Sequence, residues 1–284
     1  MPIDPTRALA AEPRRTEIAW DHKDIQLYHL GLGAGTPATD PDELRYTLES
    51  VLHVLPSFAT VAGAGMAVAS GLAAPGLDIN FAAVLHGGQR IELHRPLPVK
   101  ATAVSTSRVA AVYDKGKAAV VVVRTEAVDD GGPLWTSDTE IFARGEGGFG
   151  GERGPSVRLE PPDRAPDKIV ERTVREDQAL LYRLSGDWNP LHADPEFAKT
   201  AGFERPILHG LCTYGMTLKA VVDTLLGGDV TRVRAYSTRF AGIVFPGETL
   251  RIRMWQQDST VHTSVTAVER DDAPVLTDTI VDHS

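Results

Sequence analysis

An acid, a carboxamide and an imidazole fall within six consecutive positions of this 284-residue chain, at Asp187, Asn189 and His192. They belong to the run Tyr182-Arg183-Leu184-Ser185-Gly186-Asp187-Trp188-Asn189-Pro190-Leu191-His192. Such a trio can take a proton, deliver one and orient a polar molecule between them, which is general acid–base chemistry. The same residue types also favour turns for reasons of their own, and spacing alone leaves both uses open. Further on, Pro206-Ile207-Leu208-His209-Gly210-Leu211 leads into an apolar helical stretch over residues 212–226. The N–H groups of Gly210 and Leu211 then lie at or near a helix N-terminus, where partnerless donors can hold a developing negative oxygen. Glycine at that point also serves simply to relieve crowding.

The elements that position these groups can be read from the pattern. A helix is expected to begin near Glu176 and run through Leu180, Leu181 and Leu184 until Ser185-Gly186 stops it. Asp187, Asn189 and His192 then lie on an irregular stretch, with Pro190 and Pro195 expected to bar a return to helix. Alternating apolar runs at 90–93, 101–104, 118–128 and 135–143 read as strands, with Asp114-Lys115-Gly116-Lys117 as a hairpin turn. A second set follows at 230–240, 249–256, 260–269 and 275–281. Between the sets, residues 145–166 hold six glycines and four prolines, which marks a loop between two packed units. The expected division is 1–144, a linker at 145–166, and 167–284.

The two units are related in order. Leu27-Tyr28-His29-Leu30-Gly31 aligns with Leu181-Tyr182-Arg183-Leu184-Ser185, and after a one-residue gap Val54-Leu55-Pro56-Ser57 aligns with Ile207-Leu208-His209-Gly210. Each is followed by an apolar helix, at 58–71 and 212–226, and then by strands. A long helix followed by an antiparallel meander implies a sheet wrapped around its helix, so the fold class is α+β, duplicated in tandem. On this alignment Asp187, Asn189 and His192 fall opposite Gly33, Gly35 and Ala38, and His209-Gly210 opposite Pro56-Ser57. The first unit has the scaffold without the polar groups. Chemistry is therefore expected in the second unit and support in the first.

Composition narrows the function classes. With 29 Lys and Arg against 38 Asp and Glu the net charge is −9, so nucleic acid and anionic membrane surfaces are not expected partners. The apolar runs are far shorter than a membrane span, and the first fifteen residues lack the apolar core of a secretory signal. A single cysteine, Cys212, excludes an intramolecular disulfide and a cysteine-based zinc cage. A cytoplasmic protein is expected, and an Arg excess over Lys of about three to one points to GC-rich, bacterial coding. Gly31-x-Gly33-x-Gly35 follows no strand, as a nucleotide loop would, and the spacing after Asp187 places His192 and Ala198 where a calcium loop needs Gly and Glu. His86, His94 and His192 have no zinc spacing, no Gly-x-Ser-x-Gly elbow occurs, and Cys212 has no activating neighbour.

The run over 182–192, with Ala201-Gly202-Phe203 and Pro206-Ile207-Leu208-His209-Gly210-Leu211-Cys212-Thr213-Tyr214-Gly215, resembles the signature of the MaoC-like (R)-specific 2-enoyl-CoA hydratases, also called hydratase 2. The likeness extends to Arg239-Phe240, Phe245-Pro246-Gly247-Glu248-Thr249-Leu250, Leu85-His86-Gly87-Gly88-Gln89, Pro96-Leu97-Pro98, Asp114-Lys115-Gly116 and Gly147-Gly148-Phe149-Gly150-Gly151. It covers nearly the whole chain and is similar to the two-repeat form, a tandem double hot-dog in which only the C-terminal repeat is catalytic. The resemblance implies reversible syn addition of water to trans-2-enoyl-CoA, giving (3R)-3-hydroxyacyl-CoA. It assigns Asp187 and His192 as the acid/base pair, Asn189 as the water-orienting amide and the Gly210 N–H as the oxyanion donor. It places His86, Gly87, Lys115 and Phe240 along the acyl-CoA site with Trp188, Pro190 and Leu191, and Lys115 suits a CoA phosphate by charge. No metal or further cofactor is implied, and a homodimer is expected. A longer apolar passage over 72–84, including Phe81 and Ala82, reads as room for a medium, long or bulky acyl group or as a plain insertion. The alternatives are a hot-dog thioesterase and a non-catalytic acyl-CoA-binding subunit.

Overall fold

The computed structural model describes residues 3–62, 71–80, 84–156 and 158–284. Most of the apolar helix expected over 58–71, and Phe81 and Ala82 of the expected acyl passage, lie outside the described residues. Ten strands form one antiparallel sheet: β1 (Arg14–Trp20), β2 (Val84–Leu93), β3 (Ala101–Asp114), β4 (Ala118–Asp129), β5 (Gly132–Arg144), β6 (Lys168–Thr173), β7 (Val233–Phe240), β8 (Thr249–Gln257), β9 (Thr260–Ala267) and β10 (Ala273–His283). Their spatial order is β1-β3-β4-β5-β2-β7-β10-β9-β8-β6. The order of the first unit, read from its outer edge, is repeated in the second, and β2 pairs with β7 at the centre with Gly88 opposite Arg239 and Glu92 opposite Ala235. The two repeats are thus related by a pseudo-twofold axis through that pair.

Burial alternates along the strands as a half-buried pleat requires, most regularly in β4 and β9. The sheet curls around the Gly210–Leu225 helix, whose residues are buried without interruption over 212–222. A helix buried on all sides along most of its length has no solvent face there and belongs at the centre of its unit. The His22–Gly31 and Gln178–Tyr182 helices cross at the junction of the repeats, where a Cβ at Gly31 would stand 3.0 Å from the Tyr182 Cα. Glycine is needed there by close approach. Nearby, the buried Lys219 ammonium donates to Glu43 Oε1 and Asp223 Oδ2, each at 2.8 Å, and tethers the long helix to the first repeat.

Several expectations change. The helix expected from Glu176 is the five-residue Gln178–Tyr182, continued by a 3-10 turn at Arg183–Ser185. Pro190 and Pro195 do not bar helix: each opens one, at Pro190–His192 and Pro195–Thr200, because a first-turn residue needs no N–H partner and proline's φ suits it. Val230–Arg232 is a 3-10 turn and the strand begins at Val233. Between Arg144 and Lys168 no helix or strand forms among the described residues, yet the segment is pinned. Asp114 accepts the N–H groups of Gly116, Gly148 and Gly150 at 2.7, 2.9 and 2.7 Å, which holds its carboxyl below the usual range. Asp278 accepts Leu159 N–H at 2.6 Å.

Candidate active site

Gly186 takes a φ of +119°, a left-handed turn that residues with a Cβ rarely adopt, and releases the chain from the preceding 3-10 turn. The Asp187 carboxylate that follows is exposed and accepts Asn189 N–H at 3.1 Å. Asn189 Oδ1 accepts Leu191 N–H at 3.0 Å as the cap of the Pro190–His192 turn, so its Nδ2 is the group left to donate outward. His192 Nδ1 lies 2.8 Å from the Ile207 carbonyl. A carbonyl only accepts, so Nδ1 carries the proton of the neutral ring and Nε2 presents a lone pair. Burial lowers the His192 pKa from its ordinary value, opposed by the Ile207 carbonyl and the Asp187 charge.

His209, not among the residues singled out from the sequence, completes this cluster. It is buried, its Nε2 lies 3.2 Å from the Asp187 carbonyl, and its ring stacks on His192 with centroids 3.8 Å apart. Burial, then the neighbouring His192, pushes its pKa well below the usual imidazole range, which favours the neutral ring. The sequence signal was its place immediately before Gly210. Asp187, His192 and His209 bring ligand-type atoms within 4.8 Å of one another, a spacing open to a metal ion. The two imidazoles stack at 30°, and His192 Nδ1 and His209 Nε2 each face a main-chain carbonyl, so one nitrogen of each ring is already engaged.

Gly210 is the first residue of its helix, and neither its N–H nor that of Leu211 has an acceptor among the described residues. A Cβ there would stand 3.1 Å from the Phe240 ring. Phe240 also meets His86 of β2, with centroids 4.6 Å apart, so the central β2–β7 pair brings a first-repeat side chain to the second-repeat site. Burial pushes His86 down to about 4, and Asp187 is among the charges acting on it. Gly87 sits in a bulge of β2 where a Cβ would stand 3.3 Å from the Glu140 carbonyl. Trp188 is exposed, its ring under the Arg183 guanidinium at 5.1 Å. Pro190 is exposed and Leu191 half-buried. Lys115 stands apart on the β3–β4 hairpin, donating to the Arg153 and Pro155 carbonyls, while its charge acts on Glu140, opposite Gly88.

Among the described residues, the first repeat has no such cluster at the aligned place. Gly33 and Gly35 take φ values of +85° and +86°, and Pro56 opens a 3-10 turn at Pro56–Thr60. Beside Val54 and Pro56, which align with Ile207 and His209, lies a cavity of about 190 Å3 lined mainly by Leu52, Leu93, Leu97 and Val233.

Residues 158–275 match the MaoC like domain and residues 19–145 the MFE-2 hydratase 2 N-terminal domain. The sequence is 50% identical over 278 residues to the enoyl-CoA hydratase ChsH3 of Mycobacterium tuberculosis, covering 97% of each chain. The chain belongs to the MaoC-like hydratase 2 family. A second member of the hydratase 2 family, the peroxisomal enoyl-CoA hydratase 2 of Arabidopsis thaliana, is 42% identical over 264 residues, 87% of this chain and 85% of that one. The crystal structure of a MaoC-like dehydratase from Phytophthora capsici superposes with a TM-score of 0.89 at 30% identity, covering 99% of this chain and 98% of that chain. The ten-stranded sheet with its two repeats is the double hot-dog fold expected of the family. No helix among the described residues is long and apolar enough to cross a membrane.

Proposed function

We propose that this protein catalyses the reversible syn hydration of trans-2-enoyl-CoA to (3R)-3-hydroxyacyl-CoA. The observation that carries the reading is the His192 Nε2 lone pair, with the Asp187 carboxylate and Asn189 Nδ2, in the same segment that closes on the partnerless Gly210 N–H. Neutral Nε2 takes a proton from water as its oxygen bonds to C3. Asp187 and Asn189 hold that water, and the negative charge passes to the thioester oxygen, where the Gly210 N–H stabilises it. The imidazolium then returns the proton to C2 on the same face, so the atoms of one water end on C2 and C3 and the ring is neutral again. The reaction calls for no metal.

In this reading the second repeat carries the chemistry and the first supplies walls to the acyl-CoA site. His86, Gly87 and Phe240 flank the thioester, with Trp188, Pro190 and Leu191 on the other side. Lys115 offers its ammonium to a CoA phosphate once released from the linker carbonyls. The acyl group is medium to long, or bulky, and the protein is a cytoplasmic homodimer. Loss of enoyl absorbance from trans-2-enoyl-CoA without release of free thiol is the expected result. Loss accompanied by thiol would instead mean a thioesterase, and binding with no loss a non-catalytic subunit.

A further inference from the structure

We propose that His209 is a positioning residue for the Asp187/His192 pair, fixing the Asp187 main chain through its Nε2–H and the His192 ring through its face. This rests on the hydratase reading above. Four consecutive residues, Ile207 to Gly210, touch His192 and Asp187 and supply the oxyanion N–H. The Ile207 carbonyl takes the His192 Nδ1 proton at 2.8 Å, and His209 Nε2 reaches the Asp187 carbonyl at 3.2 Å. Gly210, the next residue, offers the oxyanion N–H. Leu208 N–H donates to the Val244 carbonyl at 2.7 Å, so the segment is anchored to the body of the repeat. Asp187 itself is exposed, and its carboxylate makes only a local contact with Asn189 N–H among the described residues. The bond from His209 is therefore what relates the acid to the helix start, across 22 positions of sequence.

The acceptor at Asp187 fixes the tautomer: the proton is on Nε2 and Nδ1 is bare. Among the described residues Nδ1 is buried without a hydrogen-bond partner, a cost the stacking and the Nε2 bond must offset. One face lies on His192 and another side meets Tyr182, with centroids 5.0 Å apart. A neutral ring against His192 excludes water from it, while Asp187 and Arg183 are the charged groups that act on the same imidazole. The first repeat places Pro56 at the aligned position, with neither an N–H donor nor an aromatic ring, and Gly33 and Ala38 stand opposite Asp187 and His192.

Two variants separate the functions of the side chain. His209→Phe keeps a ring and loses the donor; His209→Gln keeps a donor and loses the ring. Displacing a reacting group by about 1 Å costs up to about 100-fold. His209→Phe is expected to lose about 10–100-fold in kcat while KM and the Kd of a saturated acyl-CoA stay within about threefold. His209→Gln is expected to recover part of that kcat but to admit water to His192, raising its pKa, so that the acid limb of the pH–rate profile moves to higher pH. Near-native kcat and an unmoved profile in both variants would overturn the proposal, as would parallel loss of kcat, binding and thermal stability. Nitrogen NMR of histidine-labelled native protein gives a test independent of turnover and of folding of the variants. It should show His209 as a neutral Nε2–H tautomer that does not titrate between about pH 5 and pH 8. An Nδ1–H tautomer or a titrating ring would overturn the proposal even if the native protein hydrates enoyl-CoA.

Discussion

Proline and alanine at Gly210 together isolate one backbone N–H. The preceding residue, His209, has φ −60° and ψ 132°, the extended conformation that a following proline requires. Gly210 is the first residue of its helix, where the missing N–H breaks no helical hydrogen bond. Both replacements introduce the same Cβ, which would lie 3.1 Å from the Phe240 ring, so that crowding of a few tenths of an ångström is common to the two, while proline alone adds Cγ and Cδ, the latter in place of the N–H. Overpacking of this kind costs about 1–3 kcal/mol of stability and largely cancels in the ratio of their turnovers. What does not cancel is the donor. Removing one oxyanion N–H costs about 10²–10³ in kcat, or about 3–4 kcal/mol of transition-state stabilisation. Gly210→Ala should therefore turn over about 100- to 1,000-fold faster than Gly210→Pro. Both should bind a saturated acyl-CoA alike, because the ground-state oxygen carries less charge than the enolate. The assay is loss of enoyl absorbance with circular dichroism as the folding control. Equal turnover in two folded variants would refute the assignment and move the donor to Leu211 N–H.

Other consequences follow from the same geometry. His192→Gln should lower kcat by about 10²–10⁴ with the fold intact, and Asp187→Asn, which weakens the hold on the attacking water, by about 100-fold, both read by steady-state hydration and circular dichroism. Because burial holds His192 below its ordinary value of 6.5, its neutral form persists into mildly acidic solution, and kcat/KM should fall only as pH drops through a midpoint below 6.5. A midpoint above that value would contradict the neutral-base mechanism. Gly33→Asp combined with Ala38→His should restore no hydration to His192→Gln, since Pro56 and Ser57 leave the first repeat without the glycine donor. Lys219→Ala leaves Glu43 and Asp223 half-buried without their cation, and urea unfolding should register a loss of about 3–5 kcal/mol. A loss under 1 kcal/mol would show the tether to be dispensable.

Legibility in the sequence followed the local signal. Strands β3, β4, β5, β8, β9 and β10 and the Gly210–Leu225 helix carried regular apolar patterns, because each has a face packed on the core. The edge strands β1 and β6 were not anticipated; they are mostly exposed, so their residues show no alternation. The Asp187, Asn189, His192 and Gly210 set could be proposed from the sequence because its members lie in two short runs beside helix signals. His86 against Phe240 depends on the β2–β7 pairing, which joins residues far apart in the chain and leaves no mark in spacing. His209 was hidden for the converse reason: a buried histidine inside a motif looks like packing until its hydrogen bond is seen. The glycines of residues 145–151 read as linker, whereas the N–H groups of Gly148 and Gly150 donate to the Asp114 carboxylate, bonds made by the main chain of the linker rather than by its side chains.

The most direct test of the account is the stereochemical fate of one substrate. Native protein given trans-2-enoyl-CoA in D2O, with the product resolved by chiral chromatography and NMR, should yield (3R)-3-hydroxyacyl-CoA carrying one deuterium at C2, added to the same face as the hydroxyl, with no free CoA. A (3S) product, anti addition or release of thiol would contradict it.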